Sequence, residues 1–410
     1  MRAAVVALAV ALGACDMAVE TPDDACTVRL PARHVPYTPS DEPVRGPAAP
    51  TPGFLHAEGA RLVDHQGRPV RLTGLNWFGL ETSALAPAGL DRRSLGSLLD
   101  QVVRLGFNTL RVPFASELLD DGAAPAPGAI DPDHNPDLVG LDALALLDRL
   151  VAEAGARGLR VILDRHTFAA TERGAARRGC AKDGPWYTEG YGELRWIRDW
   201  QALAERYRGD STVIGFDLSN EPDATWGDDA PATDWRLAAE RAGNAILAIH
   251  PELLIIVQGV TDDPALAQLT TWAGGNLAGA RAAPIRLALP GQLVYSAHDY
   301  PATVAPQPWF ADPTFPDNLP DLWDDAWGYL LSDGLAPVLI GEYGTRLETA
   351  QDRQWLDALL AYADARGAST MLWCLNPESR DTGGLLLDDW RTVRTPLYDA
   401  VAPHLAPMLW

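Results

Sequence analysis

Two mostly apolar segments of the sequence each end in a glutamate, Glu221 in one case and Glu342 in the other. Residues 213–218 run into Ser-Asn-Glu-Pro, and residues 337–341 run directly into Glu342. Short apolar segments bounded by turn residues predict strands that are buried on both faces, as in a parallel sheet. Two carboxylates at one edge of such a sheet can serve as the acid/base and the nucleophile in the cleavage of a glycosidic bond. This pair is therefore our first candidate for catalysis.

Strand and helix patterns alternate along most of the chain. Eight strands that alternate with helices predict an α/β fold of the (β/α)₈ TIM-barrel type. A doubly wound open sheet is the alternative, but it usually carries a glycine-rich phosphate turn after its first strand, and residues 74–79 do not form one. The predicted strands are 72–77, 108–112, 159–163, 213–218, 253–258, 293–298, 338–342 and 370–375, and the helices are 92–105, 138–157, 193–207, 235–249, 322–331, 350–366 and one near the C-terminus.

Three regions of different composition divide the chain. Residues 59–71 predict a small hairpin that turns at 64–67 and would close the bottom of the barrel. We therefore expect one catalytic domain over residues 54–410. Residues 15–53 are polar and rich in proline, which predicts a disordered tether, because such a segment cannot bury a core of its own.

The first 14 residues predict a signal peptide, because Arg2 precedes an apolar run that is too short to span a bilayer. The run ends in Leu-Gly-Ala-Cys at Cys15, which resembles the lipoprotein box of bacteria, where cleavage precedes a cysteine that is then lipidated. An ordinary secretory signal is the alternative. In both cases we expect an exported protein, either secreted or anchored through Cys15 to a bacterial membrane at the cell surface or in the periplasm.

The composition limits the partners. The chain has 410 residues, with 33 Lys and Arg against 55 Asp and Glu, so its formal net charge is −22. Such an acidic chain does not favour nucleic acid as a partner. The spacing of the cysteines fits no metal-binding motif, and we expect neither a metal nor a cofactor. We also expect a monomer. Cys374 lies in an apolar strand and predicts a core residue, whereas Cys26 and Cys180 could pair in an oxidising compartment, which the sequence leaves open.

Polar and aromatic residues stand at the C-terminal ends of most predicted strands, which is where active sites of TIM barrels form. Burying so many polar groups at one rim would be costly unless they bound one another and a ligand. The candidate residues, in chain order, are Arg111, His166, Asn220, Glu221, His298, Tyr300, Glu342 and Trp373.

With these residues in place, the chain resembles glycoside hydrolase family 5, a family of barrels with catalytic glutamates on strands four and seven. The resemblance covers residues 59–387 and includes all of the candidate positions. Longer segments at 74–79, 234–244 and 381–384 are similar to the subfamily of bacterial endo-β-1,4-glucanases. There are departures: Ser83 stands where a cysteine is typical, and the loop at 167–186 is long and charged.

The resemblance implies roles that agree with the chemistry of the residues. Glu342 would be the nucleophile that forms a glycosyl-enzyme, and Glu221 would be the acid that protonates the leaving oxygen and later accepts a proton from water. The supporting residues would be Arg111 and Tyr300 as donors to Glu342, Asn220 at the 2-hydroxyl, His166 at another hydroxyl, His298 beside Tyr300 or Glu221, and Trp373 under the sugar ring. Trp77, Trp272 and Trp309 are candidate subsite aromatics.

The implied function is that of a retaining endo-β-1,4-glucanase, which cleaves β-glucan chains or cello-oligosaccharides by double displacement. The same mechanism on β-mannan, mixed-linkage glucan or xyloglucan stays open, because loops decide the sugar. A non-catalytic, lipid-anchored glycan-binding barrel is the alternative from another functional class. The intact pair of glutamates, together with Arg111 and Tyr300, argues against it.

Overall fold

The structure is a computed structural model that describes residues 30–40, 42–170, 185–261, 269 and 271–409. The predicted signal peptide, Cys15, Cys26 and Cys180 lie outside these ranges. Within them, no helix is both long enough and apolar enough to cross a membrane.

A small antiparallel sheet precedes the barrel. It consists of β1 (Leu55–Glu58), β2 (Arg61–Asp64) and β3 (Pro69–Val70), with β2 in the middle. Asp64 fixes the turn, because its side chain accepts hydrogen bonds from the backbone N–H groups of Gln66 and Arg68 over 2.8 and 2.9 Å. The predicted hairpin is therefore confirmed, and β1 adds a third strand to it.

Eight parallel strands form a closed barrel. Their order follows the chain, and the last strand pairs with the first through Thr370 and Thr73. The predicted (β/α)₈ TIM barrel is thus confirmed, and the open-sheet alternative is wrong. The strands are β4 (Thr73–Asn76), β5 (Thr109–Ala115), β6 (Arg160–Thr167), β7 (Val213–Asp217), β8 (Leu254–Gln258), β9 (Leu293–Asp299), β10 (Val338–Tyr343) and β11 (Ser369–Leu372).

Four of the eight α-helices in the described ranges begin after a residue whose side chain caps them. Asp142, for example, accepts a hydrogen bond from the backbone N–H of Ala145, so the second helix begins five residues later than predicted. Asp234 caps the fourth helix in the same way, as the sequence predicts. The α-helices in the described part of the chain are α1 (Leu95–Arg104), α2 (Ala143–Gly155), α3 (Glu193–Arg206), α4 (Trp235–Leu247), α5 (Leu319–Trp323), α6 (Tyr329–Ser332), α7 (Ala350–Arg366) and α8 (Thr395–Val401).

The helix predicted at 322–331 is divided. A π-helical turn, Asp324–Gly328, separates α5 from α6. Tyr362 packs so closely against Gly328 that a Cβ atom at position 328 would collide with the Tyr362 hydroxyl, and this hydroxyl also donates to the Asp324 carboxylate. A side chain held this tightly against a helix is a common cause of such local irregularity. Between β8 and β9 the described residues contain only 3₁₀ turns, Ala278–Arg281 and Pro290–Gln292.

The inside of the barrel is filled by aliphatic side chains from several strands. Leu55 of β1 and Leu62 of β2 belong to this same buried cluster, together with Leu72 just before β4. The small sheet therefore closes the N-terminal end of the barrel, as expected. The strand residues of the cluster are Ile162, Ile214, Leu254, Ile256, Val294, Leu339 and Met371. Cys374 is a free, fully buried thiol, which confirms it as a core residue.

The expected disordered tether needs a correction for the part that the structure describes. Residues 34–40 and 42–53, which we call the N-terminal strap, contain no helix or strand, but they pack against the barrel. The His34 ring contacts the Tyr187 ring at 4.4 Å, and its Nε2 atom lies 2.9 Å from the carboxylate of Glu193. Thr51 donates to Glu252 near the other end of the barrel. A proline-rich segment builds no core of its own, but its few anchoring side chains fill sites on the barrel surface.

Candidate active site

The two glutamates lie together at the C-terminal ends of the strands. Glu342 is on β10, and Glu221 follows β7 after a short polar turn. Both residues are buried, with 2% of each exposed. A carboxylate oxygen of Glu221, one of Glu342 and a ring nitrogen of His298 all lie within 4.8 Å of one another. Retaining glycosidases place their two carboxyl groups about 5–5.5 Å apart, whereas inverting enzymes leave about 6.5–9.5 Å for a water molecule. The short separation fits the retaining geometry.

Glu342 is held by two donors. Arg111 donates from NH1 to Oε1 over 2.9 Å, and the Tyr300 hydroxyl donates to Oε2 over 2.7 Å. Burial and the negative charge of Glu342 raise the pKa of Tyr300 well above its usual value, so its hydroxyl stays protonated and can donate. The two donors fix the positions of both carboxylate oxygens of Glu342, as a nucleophile with a set direction of attack requires.

Glu221 has a different set of partners. His298 Nδ1 and Trp272 Nε1 lie 2.9 and 3.0 Å from its Oε1 atom. Its backbone N–H donates to the side-chain oxygen of Gln258 over 2.7 Å. The backbone of Glu221 has a φ of +43°, a value that residues other than glycine rarely adopt. The surrounding contacts therefore hold this residue in a strained conformation.

Arg111 is the central cation of the site and is fully buried. It donates to Asp217, Asn76 and Asn220 over 2.9, 2.9 and 3.1 Å, and Asp164 lies 3.1 Å away. Burial raises the pKa values of Asp164 and Asp217 to about 6, although the charge of Arg111 opposes this rise. One guanidinium thus fixes the positions of five side chains from four different strands or their C-terminal ends.

Three further candidates surround the glutamates. The Nδ2 atom of Asn220 is buried and has no hydrogen-bond partner among the described residues, so it is available to a ligand hydroxyl. His166 Nδ1 lies 2.8 Å from Asp164 Oδ2, which orients the ring. Trp373 is only partly buried, and its ring lies nearly parallel to those of His166 and Phe78 at 5.4 and 5.8 Å. An aromatic face at the rim is suited to a sugar ring.

The three candidate subsite tryptophans differ in position. Trp77 is buried, and its indole N–H donates to the carbonyl of Ala88, so the prediction of a subsite is wrong for Trp77, which is a core residue. Trp272 and Trp309 are partly exposed and line one pocket beside His298 and Asp299. Their aromatic faces could pack against a sugar ring that lies across this surface.

The sequence did not single out four residues that this site depends on. Asp164, Asp217 and Gln258 are buried polar residues within or at the end of apolar strands, and Asn76 lies at the end of β4. Asn76 donates to the carbonyls of Gly341 and Met371, which turns its oxygen toward Arg111. A polar residue inside an apolar strand was the available signal, because such a group is costly to bury without a partner.

Among the described residues, one cluster of side chains could ligate a metal ion, and it lies in this site. Its atoms come from Glu221, His298 and Glu342. Each of these carboxylates already accepts hydrogen bonds from neighbouring side chains, as a pair of catalytic groups would.

Comparison with known proteins agrees with this geometry. Residues 63–379 match the model of a family described as cellulase (glycosyl hydrolase family 5). The chain is 45% identical to an endoglucanase from Paenibacillus polymyxa, over 90% of this chain and 91% of that protein. It is 38% identical to the major extracellular endoglucanase of Xanthomonas campestris pv. campestris, over 85% of this chain and 70% of that protein.

Solved structures show the same similarity. The catalytic domain of the Xanthomonas endoglucanase superposes with a TM-score of 0.78 at 37% identity, covering 85% of this chain and 99% of that domain. A complex of the endocellulase from Pyrococcus horikoshii with cellotetraose superposes with a TM-score of 0.78 at 35% identity, covering 86% and 98%. The chain belongs to glycosyl hydrolase family 5.

Proposed function

We propose that this protein is a retaining endo-β-1,4-glucanase with Glu342 as nucleophile and Glu221 as acid/base. The observation that carries the proposal is the pair of buried glutamates whose oxygens lie within 4.8 Å and whose donors differ. The relatives named endoglucanase, and the cellotetraose complex of the Pyrococcus endocellulase, support a β-1,4-glucan as the substrate.

In the first step, the Glu342 carboxylate attacks the anomeric carbon while Glu221 gives its proton to the leaving oxygen. The bond to the leaving sugar breaks as the bond to Glu342 forms, which gives a glycosyl-enzyme. Arg111 and Tyr300 each donate to the Glu342 carboxylate and fix its direction of attack. The buried, unpartnered Nδ2 atom of Asn220 can bind the 2-hydroxyl, a contact that strengthens in the transition state.

In the second step, Glu221 is a carboxylate and accepts a proton from an incoming water molecule. The oxygen of that water attacks the anomeric carbon, and Glu342 leaves as a carboxylate. Two displacements at one carbon retain the β-configuration. His166 would bind another hydroxyl of this sugar, Trp373 would support its ring, and Trp272 and Trp309 would contact the neighbouring sugar in their pocket.

We also propose that the protein acts as a monomer outside the cytoplasm and that Cys15 carries a lipid. The Xanthomonas relative is described as extracellular, which supports export. Expression of the full chain in a bacterium, with labelled fatty acid, tests the anchor. We expect label in the membrane fraction for the natural chain and neither label nor membrane retention for the Cys15→Ala variant. Label that persists in this variant would contradict lipidation at Cys15.

The activity is tested by release of reducing sugar from a soluble cellulose derivative, mixed-linkage glucan, mannan and xyloglucan, with the Glu342→Gln variant beside the natural chain. We expect release from the cellulose derivative and none from the variant. Proton NMR of the first product should show the β-anomer. Release from mannan or xyloglucan alone would overturn the proposed substrate, an α-anomer would overturn the mechanism, and binding without any release would favour a glycan-binding protein.

A further inference from the structure

Gln258 contacts both Glu221, which would protonate the leaving oxygen, and Asn220, which would bind the 2-hydroxyl. It is the last residue of β8 and is fully buried. Its side-chain oxygen accepts from the backbone N–H of Glu221 over 2.7 Å, and its amide nitrogen lies 2.9 Å from Asp217 Oδ2 and 3.5 Å from Asn220 Oδ1.

The contact with Glu221 supports a strained backbone. The φ of +43° at Glu221 costs energy, and a buried N–H without an acceptor would add to that cost. Gln258 supplies the acceptor. Gly274 closes the space on the other side, since a Cβ atom at Gly274 would lie 3.1 Å from the Gln258 oxygen and 3.2 Å from Cγ of Glu221. The turn that presents the acid/base is thus fixed from two sides.

The contact with Asn220 fixes which end of its amide is free. Arg111 and Gln258 both donate toward Oδ1 of Asn220. The Oδ1 atom therefore lies against these donors, and the Nδ2 atom is left buried without a partner. A flipped amide would place two N–H groups against two donors, which is unfavourable. This arrangement sets the orientation of the Asn220 Nδ2 group, which would donate to the 2-hydroxyl of the sugar.

A glutamine suits this place better than a glutamate would. Its amide offers an acceptor to Glu221 and a donor to Asp217 at the same time. An ionised carboxylate would keep the acceptor but lose both N–H donors, and it would place a second negative charge beside Asp217. Only a protonated carboxyl group could replace one of the lost donors.

We propose that Gln258 is a positioning residue for catalysis, which holds the acid/base Glu221 and orients the amide of Asn220 toward the sugar. The proposal rests on the proposed glucanase activity. If the natural chain releases no sugar from any β-1,4-glucan, the proposed function fails, and the role of Gln258 falls with it. If the natural chain is active, the variants below test Gln258 by itself.

The test compares Gln258→Glu with Gln292→Leu as the matched control. Gln292 is a second buried glutamine, which donates to the carbonyls of Glu252 and Leu253 at the opposite end of the barrel. Loss of one or two charge-assisted hydrogen bonds predicts that Gln258→Glu lowers kcat about 10- to 100-fold at pH 7, with KM changed less than about threefold. We expect part of this loss to recover at pH 5, where the new carboxyl group can donate. The control should keep kcat and lose only stability.

A second substrate separates the two contacts. A dinitrophenyl cellobioside has a leaving group that departs without protonation, and kcat/KM reports the first step. We expect Gln258→Glu to lose less kcat/KM on this substrate than on cellotetraose. The dinitrophenyl group needs no proton from Glu221, so a misplaced Glu221 does not slow its departure. An equal loss on both substrates without a pH effect would show a merely structural role and overturn the proposal. A kcat within twofold of the natural chain at pH 7 would also overturn it.

Discussion

Trp272 donates its indole N–H to Oε1 of Glu221 over 3.0 Å, so an aromatic residue of the neighbouring pocket is also a direct partner of the acid/base. Its ring packs edge-on against Tyr300 at 4.8 Å, and Tyr300 donates to Glu342. One tryptophan therefore contacts Glu221 directly and Glu342 indirectly, through Tyr300. If a sugar packs on Trp272, as we propose, its binding and the position of the Glu221 carboxyl group are connected through this side chain.

Replacing Trp272 by phenylalanine separates these two roles. The variant keeps an aromatic face but loses the N–H donor, so we expect kcat on cellotetraose to fall about 5- to 20-fold with little change in KM. Trp272→Ala should raise KM as well, because the sugar then loses its contact surface. Steady-state kinetics of both variants decide the matter. A rise in KM alone for the phenylalanine variant would contradict the role of the hydrogen bond.

Trp77 and Trp309 test the distinction between core and pocket. Trp77→Phe removes buried volume and the donor to Ala88, so we expect the free energy of unfolding to fall by about 1–3 kcal/mol with KM unchanged. Trp309→Ala should instead raise KM for cello-oligosaccharides several-fold, because Trp309 lines the pocket. Urea titration and steady-state kinetics of the two variants measure these effects. A changed KM in Trp77→Phe would restore the subsite hypothesis for Trp77.

Asp299 gives a pH dependence whose sign can be worked out. Burial raises its pKa to about 6, although the indole N–H groups of Trp355 and Trp323, each at 2.6 Å, oppose the rise. A raised carboxyl pKa means that the folded state binds more protons than the unfolded state between about pH 4 and 6, so stability from this group is lost as the pH rises through that range. From pH 7 to pH 5, the natural chain should gain about 1 kcal/mol relative to Asp299→Asn. Urea titrations at both pH values measure the difference. A gain in the opposite direction would contradict the raised pKa.

The N-terminal strap should stabilise the barrel through Glu193. Its carboxylate is buried and accepts from Arg241, the Tyr37 backbone and the Trp186 indole, besides contacting His34. Burial opposes ionisation, but the donors prevail and lower the pKa of Glu193. We expect Glu193→Gln to lower the free energy of unfolding by about 2–4 kcal/mol at pH 7, because a buried partner is removed.

The exposed Glu205, which pairs with Arg208 on the surface, offers the matched control. Glu205→Gln should change stability by less than about 0.5 kcal/mol. A lowered pKa means that ionised Glu193 stabilises the folded state at neutral pH. This stabilisation is lost as the pH falls through the pKa of Glu193 in the folded state. The difference between the natural chain and Glu193→Gln should therefore shrink toward pH 3. An unchanged stability of Glu193→Gln at pH 7 would contradict the stabilising role of the Glu193 carboxylate.

Much of the fold could be predicted because it depends on local patterns. The eight apolar segments predict the strands, and the capping residue Asp234 marks the start of one helix. The division of the helix around Gly328 could not be predicted, since it depends on Tyr362, which is distant in the chain. The docking of His34 was missed for the same reason. A proline-rich composition shows that a segment has no core of its own, but it does not show which surface it contacts.

The sequence by itself determined the barrel and the set of polar residues at its rim, because strand patterns are local and a TIM barrel brings all strand ends to one face. Tertiary structure decided how these residues are used. Gln258 lies 37 positions after Glu221, and it meets the backbone of Glu221 only because β7 and β8 are adjacent parallel strands. Trp77 and Trp272 are the same residue type near strand ends or loops, yet one packs in the core and the other contacts the acid/base. The direction in which a side chain points at the rim depends on the neighbouring strands and loops, and no local pattern contains that information.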